Sequence, residues 1–397
     1  MMRKNILFLV LGVDALFLVL QIFQLSISAN EASILYGDVS FLQLLVQVSI
    51  SLFGHNDFAI RFPMILLHLL SVILLYKISK EYIYSQRNQV WLITIFIMLP
   101  GVLSSAIVIN SAGILIFGLL FFIYIYKNFH VFSSYFLLTL YLFIDPSFVY
   151  MYISFILYSF YKKDILLTIV SSLLFIVSVY MYGFEAHGLP KGHFLDFIGV
   201  YSAIFTPIIF LYIFYVLYKR YFTKQIDVLW FLATTAFLIS LILSFRQRVS
   251  VEHFAPYLIL ALPLVGQNFI HSYRVRLKNF RHRYRIIFSI ALGFLIFNYA
   301  LVLFSKTLYL VMEKPQNNFI YKMDIAKELA NSLQKRGINC VQTDKDMMLR
   351  LRFYGIEKCQ KYELRSVNTD EKDGQNVTIS YANKIIYRAN VTKINIK

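Results

Sequence analysis

Apolar runs about as long as a bilayer is thick recur from the N-terminus to residue 311, and they constrain this chain more than anything else in it. They fall near 5–25, 60–79, 90–108, 112–126, 131–144, 146–161, 165–182, 198–218, 228–245, 254–270 and 286–311. A helix needs roughly 20 apolar residues to cross the hydrocarbon. Within lipid, only helices and closed barrels satisfy every backbone polar group. Runs of this length predict an all-α polytopic membrane protein. Composition agrees: 59% of the residues are hydrophobic and the mean hydropathy is +0.65. A soluble domain carries about 45–50% apolar residues.

The net charge of +17 would suggest nucleic acid in a soluble chain. In a membrane protein, Lys and Arg collect on cytoplasmic loops, and the densest basic run, HSYRVRLKNFRHRYR (271–285), lies between two apolar segments. No nucleic-acid partner is expected. No Walker loop and no zinc-type Cys/His spacing is present. MMRKN and the apolar stretch after it resemble a signal-peptide start, but no A-x-A site follows, so an uncleaved first helix is expected.

The basic residues also set the topology. Residues 90–126 are too long for one span and are broken at Pro100–Gly101 and Asn110–Ser111, which reads as a helical hairpin. Residues 131–161 are either one tilted helix or two short ones split at Asp145–Pro146. With Arg3 and Lys4 inside, splitting them keeps Lys162, Lys163, Lys219, Arg220, Lys224 and the 271–285 run inside. A single helix would export every later basic loop. The expectation is about eleven spans, N-terminus in and C-terminus out. Residues 1–311 then form the transmembrane domain. Residues 312–397 are polar and mixed. ELANSLQKRG (328–337) reads as helix, INCVQT (338–343) as a short strand, and VTISYA (377–382) and KIIYRA (384–389) alternate as strands. A small α/β soluble domain is expected outside. Its Cys340 and Cys359, the only cysteines, either pair on an oxidising face or remain two buried thiols.

Four external segments carry candidate chemistry. The first, SISANEASILYGDV (26–39), holds Glu31 and Asp38 near a span end, where charge is costly. Solvated loop acids are the plain alternative. FLQLLVQVSISLF (41–53) follows as an interfacial amphipathic helix. The second, FGHNDFAIRFP (53–63), reads as a helix start, with Arg61 an interfacial anchor and Pro63 helix-initiating. The third, YGFEAHGLPKGHFLDFIG (182–199), offers Glu185, His187, Lys191, His193 and Asp196. Its spacing matches no strong metal motif. It suits a divalent metal or, equally, an anionic ligand held by Lys191 and the histidines. The fourth, SFRQRVSVEHFAPYLILALP (244–263), puts Arg246, Arg248 and His253 outside, against the charge trend. A phosphate gripped by planar guanidinium donors is one reason for them. Pairing with Glu252 or with lipid headgroups is the other.

Together these segments resemble membrane glycosyltransferases of the GT-C superfamily, especially the protein O-mannosyltransferase and lipid A aminoarabinose transferase branch. That branch has an acidic pair soon after the first helix, similar to Asn30-Glu31, and a Gly-Asp similar to Gly37-Asp38. It has a segment similar to FGHNDFAIRFP before the next helix and a late one similar to SFRQRVSVEHFAPYLILALP. The likeness covers roughly the first 65 residues and the 244–263 segment; elsewhere it rests on helix pattern. It implies an inner-membrane enzyme with its site on the outer face. The donor is a polyprenyl-phosphate-linked sugar, met at the membrane lipid surface, and the acceptor is an extracytoplasmic lipid, glycan or protein. It further implies a carboxylate base and cations for the leaving phosphate. One position departs: the family pair is usually Asp-Glu, and Asn30 cannot take a proton at neutral pH. Either Glu31 or Asp38 serves instead, or the chemistry differs, or it is absent. A flippase for polyprenyl-linked glycan is the runner-up, but the internal repeats usual in transporters are not evident. A glycan polymerase or ligase would carry a large late external loop, where this chain has a terminal domain.

Overall fold

The computed structural model describes residues 4–184, 192–318, 320–367, 375–382 and 384–394. The chain opens with helices α1 (Lys4–Gln24), α2 (Ala29–Tyr36), α3 (Phe41–Phe53) and α4 (Asp57–Tyr82). Then come α5 (Gln86–Met98), α6 (Pro100–Ile107), α7 (Ser111–Asn128), α8 (Val131–Tyr141), α9 (Val149–Lys162) and α10 (Ile165–Tyr182). They are followed by α11 (Phe194–Phe205), α12 (Pro207–Phe222), α13 (Val228–Ser244), α14 (Val251–Ile259), α15 (Leu262–Val275), α16 (Lys278–Leu303) and the short α17 (Leu308–Val311). The C-terminal part runs α18 (Tyr321–Lys335), β1 (Cys340–Gln342), α19 (Lys345–Phe353), β2 (Glu357–Ser366), β3 (Gln375–Tyr381) and β4 (Lys384–Lys393).

Among the described residues, α1, α4, α7, α10 and α16 are long and apolar enough to cross a bilayer, and four bent helix pairs raise the candidate spans to nine at most. The bends have local causes. The run 90–108 breaks into α5 and α6, turned by 63°, where Pro100 begins the second helix. The run 198–218 is not one straight span. It is α11 and α12 meeting at 103°, because Thr206 takes a left-handed φ of 65° and Pro207 follows without an N–H to donate. The run 254–270 is α14 and α15, turned by 41°. Residues 131–161 do break at Asp145–Pro146, where the Asp145 carboxylate accepts the Ser147 N–H at 2.8 Å.

The chain divides into two compact units. One comprises Met1–Leu16 with Phe62–Tyr299, the other Phe17–Arg61 with Ala300–Lys397. The first holds the helical bundle. Lipid offers no hydrogen bonds, so the carbonyls freed at helix breaks need protein partners. Tyrosines supply them: Tyr152 donates to the Leu138 carbonyl at 3.0 Å, and Tyr257 to that of Ser147 at 2.8 Å. Tyr141 donates to the Gly118 carbonyl at 2.7 Å. Gly118 is required there, since a Cβ would stand 2.7 Å from the Phe148 ring. Asp14 and His68, both buried, pair at 2.9 Å, as an ionisable group inside a bundle must. Only 6% of the apolar stretch of α16 and 22% of that of α10 is buried, which leaves faces suited to lipid.

The second unit carries a four-stranded sheet in the order β1-β2-β4-β3. β1 pairs parallel with β2, and the other pairings are antiparallel. Its core includes Ile325, Leu329 and Leu333 of α18, Leu351 of α19 and Val377, Ile379 and Val391 of the sheet. Cys340 and Cys359 form a disulfide with Cα atoms 5.4 Å apart, tying β1 to β2.

Candidate active site

In the second unit the expected acids have different fates. Ser28 caps α2. Its hydroxyl accepts the Glu31 N–H at 3.2 Å, and its own N–H donates to Glu31 Oε2 at 2.8 Å. This is a capping box, which satisfies two otherwise orphaned N–H groups. The same carboxylate meets Arg61 of α4. Arg61 Nε donates to Oε1 at 2.9 Å and Nη2 to Oε2 at 2.8 Å. Arg61 also donates to the carbonyls of Leu25 at 3.0 Å and Ser26 at 2.8 Å. Both side chains are 0% exposed. The pair ties the chain leaving α1, the start of α2 and the start of α4 into one knot. To take a proton, Glu31 would have to loosen the contacts that hold this knot.

Asn30 is exposed on the first turn of α2, with its carbonyl accepting the Ser33 hydroxyl at 2.8 Å. Asp38 is exposed just past the end of the same helix. Its turn is well defined. Gln43 Nε2 donates to the carbonyls of Leu35 at 3.0 Å and Gly37 at 3.3 Å. The Ser40 hydroxyl caps α3 by accepting the Gln43 N–H at 3.1 Å. Gly37 is needed because a Cβ there would stand 2.4 Å from the Ser33 carbonyl oxygen. Helices α2 and α3 meet at 90°. Among the described residues, no hydrogen bond or ion pair engages the Asp38 carboxylate.

Sequence reasoning missed a second cluster beside this knot. Asp57 opens α4 and receives the Tyr354 hydroxyl at 2.6 Å and Lys327 Nζ at 2.7 Å. The Tyr354 hydroxyl accepts the Ile27 N–H at 2.9 Å, and Arg350 Nε donates to the Ile27 carbonyl at 3.0 Å. Burial, and next the Asp57 charge, push the Tyr354 phenol above its ordinary range. Burial pulls the Arg350 guanidinium below its own. These contacts pin residues 26–28 between α4, α18 and α19. Asp57 lies inside the FGHNDFAIRFP segment, but its partners stand some 270–300 positions away with no local pattern to flag them.

The remaining candidates belong to the first unit. His193 precedes α11. Its N–H donates to the Ser244 carbonyl at 2.9 Å, and its Nδ1 lies 3.4 Å from the Asp196 carboxylate. Phe194 stacks on Phe245, centroids 5.4 Å apart. His193–Phe194 and Ser244–Phe245 are therefore neighbours, a pairing that sequence spacing does not reveal. Arg246 and Arg248 are exposed in the turn after α13, and His253 is half-buried on the first turn of α14. Glu185, His187 and Lys191 lie outside the described residues. Among the described residues, no three His, Cys, Asp or Glu side chains stand close enough together to hold a metal.

The chain is similar along nearly its whole length to two crystal structures of ArnT from Cupriavidus metallidurans. Against the apo state the TM-score is 0.59 at 12% identity, covering 98% of each chain. Against the state bound to undecaprenyl phosphate it is 0.59 at 11% identity, again covering 98% of each chain. The fold is that of the ArnT structures. The resemblance read from residues 26–63 and 244–263 thus extends, as fold, over helices where sequence offered only pattern. No family model and no curated protein matches the sequence.

Proposed function

We propose that this chain is a GT-C membrane glycosyltransferase, moving a sugar from a polyprenyl-phosphate carrier to an extracytoplasmic acceptor. The observation that carries this reading is the likeness over 98% of both chains to an ArnT structure with undecaprenyl phosphate bound. In the reaction, an acceptor hydroxyl or amine attacks the anomeric carbon. The bond from that carbon to the phosphate oxygen breaks, and the lipid phosphate leaves. A carboxylate takes the acceptor's proton, and cations take the charge growing on the phosphate.

The described residues are assigned roles by their own surroundings, and Lys191 by its place in the sequence. Asp38 is proposed as the base, because its carboxylate is exposed where that of Glu31 is held by Arg61. Arg246 and Arg248 are proposed as phosphate donors, with His253 and Lys191 in support. Arg246→Ala or Arg248→Ala is expected to raise the barrier for transfer by about 2.7–4 kcal/mol, the usual cost of losing one donor to a developing anion. The assay is transfer from a polyprenyl-phosphate-linked sugar in liposomes, with folded protein checked by size-exclusion chromatography. Unchanged turnover in both variants would make these arginines anchors.

The proposed topology leaves α2 and α3 at the interface and counts the shorter α8, α9 and α13 as spans, which gives about eleven, with the domain from residue 312 on the outer face of the inner membrane. The Cys340–Cys359 disulfide supports an oxidising compartment for that domain. A reporter fused after Lys397 is expected to be active only outside the cytoplasm, and one fused after Lys278 only inside. A cytoplasmic C-terminus would overturn the topology and the outer-face site together.

A further inference from the structure

A groove of about 460 Å³ opens between α5, α12, α15 and α16. Ile95, Tyr212, Tyr215, Phe269, Phe288 and Leu292 are among the residues that line it. Its walls are apolar, and its mouth is not. On α12, Lys219 stands four residues beyond Tyr215 and seven beyond Tyr212, on the same helix face. Lys219 Nζ donates to Asn268 Oδ1 at 2.9 Å, and Asn268 Nδ2 donates to the Tyr212 hydroxyl at 3.0 Å. Arg276 follows the end of α15 and lies 4.1 Å over the ring of Tyr284, another lining residue. Among the described residues, neither cation has a carboxylate partner. The adjoining 271–285 segment adds Arg274, Lys278, Arg281, Arg283 and Arg285 and contains no acid.

An apolar slot in a bundle fills with an acyl chain of any lipid. A pair of cations at its mouth, with no acid to neutralise them, adds a preference for phosphate. Basic pockets between transmembrane helices hold anionic headgroups in this way. We propose that the groove binds an anionic phospholipid of the leaflet next to the 271–285 segment. An acyl chain lies between α12, α15 and α16, and the phosphate rests on Lys219 and Arg276. This site is separate from the proposed donor site at Arg246 and Arg248 and does not depend on the chain being a transferase.

The test uses full-length protein, stripped of lipid in detergent and titrated with phosphatidylglycerol, phosphatidylcholine or undecaprenyl phosphate, with bound lipid counted by native mass spectrometry. Two surface-level cations correspond to a roughly tenfold to thirtyfold preference for phosphatidylglycerol over phosphatidylcholine. Lys219→Gln with Arg276→Gln should abolish that preference and leave lipid binding itself. Arg276→Gln alone, at an exposed position, should weaken it several-fold and guards against a double variant that does not fold. Ala291→Phe, which fills the groove, should remove both phospholipids at an unchanged melting temperature in detergent. Equal binding of the two phospholipids by the wild type would overturn the proposal. So would phosphatidylglycerol binding that ignores Ala291→Phe, displacement of phosphatidylglycerol by equimolar undecaprenyl phosphate, or a dimer that closes the groove.

Discussion

Arg61→Leu is expected to destabilise the protein by about 3–5 kcal/mol, the cost of stranding one member of a buried ion pair. Both partners are fully shielded, and Arg61 also holds the carbonyls of Leu25 and Ser26. Its loss leaves a buried carboxylate and two buried carbonyls short of donors. Glu31→Gln should be destabilising too: its one amide oxygen can still accept the Ser28 N–H, but its NH2 then faces the Arg61 guanidinium, which loses its counter-charge and one acceptor. The double variant Glu31→Gln/Arg61→Leu should cost less than the two single changes added together, because residues in direct contact couple and neither charge is then left alone. The measurement is the unfolding midpoint in detergent with added SDS, with the Cys340–Cys359 disulfide intact in every sample. A cost below about 1 kcal/mol for Arg61→Leu, in the range of an exposed ion pair, would mean that the knot is solvated.

This knot also marks where sequence reasoning reached and where it stopped. Ser28-x-x-Glu31 is a capping-box pattern, legible in four residues. The resemblance to GT-C transferases points instead to a base, because Asn30-Glu31 stands where that family has its acidic pair. Its bond to Arg61 spans 30 positions and has no local signature. The break at Asp145–Pro146 was legible because Pro removes a helix donor and Asp caps the next turn. The turn at Thr206 was not, since a left-handed threonine is set by packing and not by propensity. β3 and β4 were read from their alternation, but β2 escaped. EKCQKYELRS buries only Leu364, so it has no apolar period to detect. The disulfide follows from the parallel pairing of β1 with β2, which no count of cysteines supplies.

Asp38→Asn is expected to lower the transfer rate by about 10²–10⁴-fold, the usual contribution of a positioned general base, while donor binding and the melting temperature stay at wild-type values. The carboxylate is exposed, so its removal leaves no buried partner unpaired, and surface changes away from special features cost within about 0.5 kcal/mol. The turn survives because Gln43 and Ser40 hold it through backbone groups. Glu31→Gln gives the contrasting result: activity falls because folded protein falls, and the fraction that remains folded turns over normally. Asp38→Glu keeps a carboxylate on a longer arm and should retain part of the rate. An Asp38→Asn enzyme running at the wild-type rate would remove Asp38 from the chemistry. If Glu31→Gln were then well folded and inactive, the proton would pass to the buried carboxylate, and Arg61 would have to release it during the reaction. The decisive comparison is specific activity per folded molecule for the two variants, measured side by side in liposomes with the same lipid-linked donor.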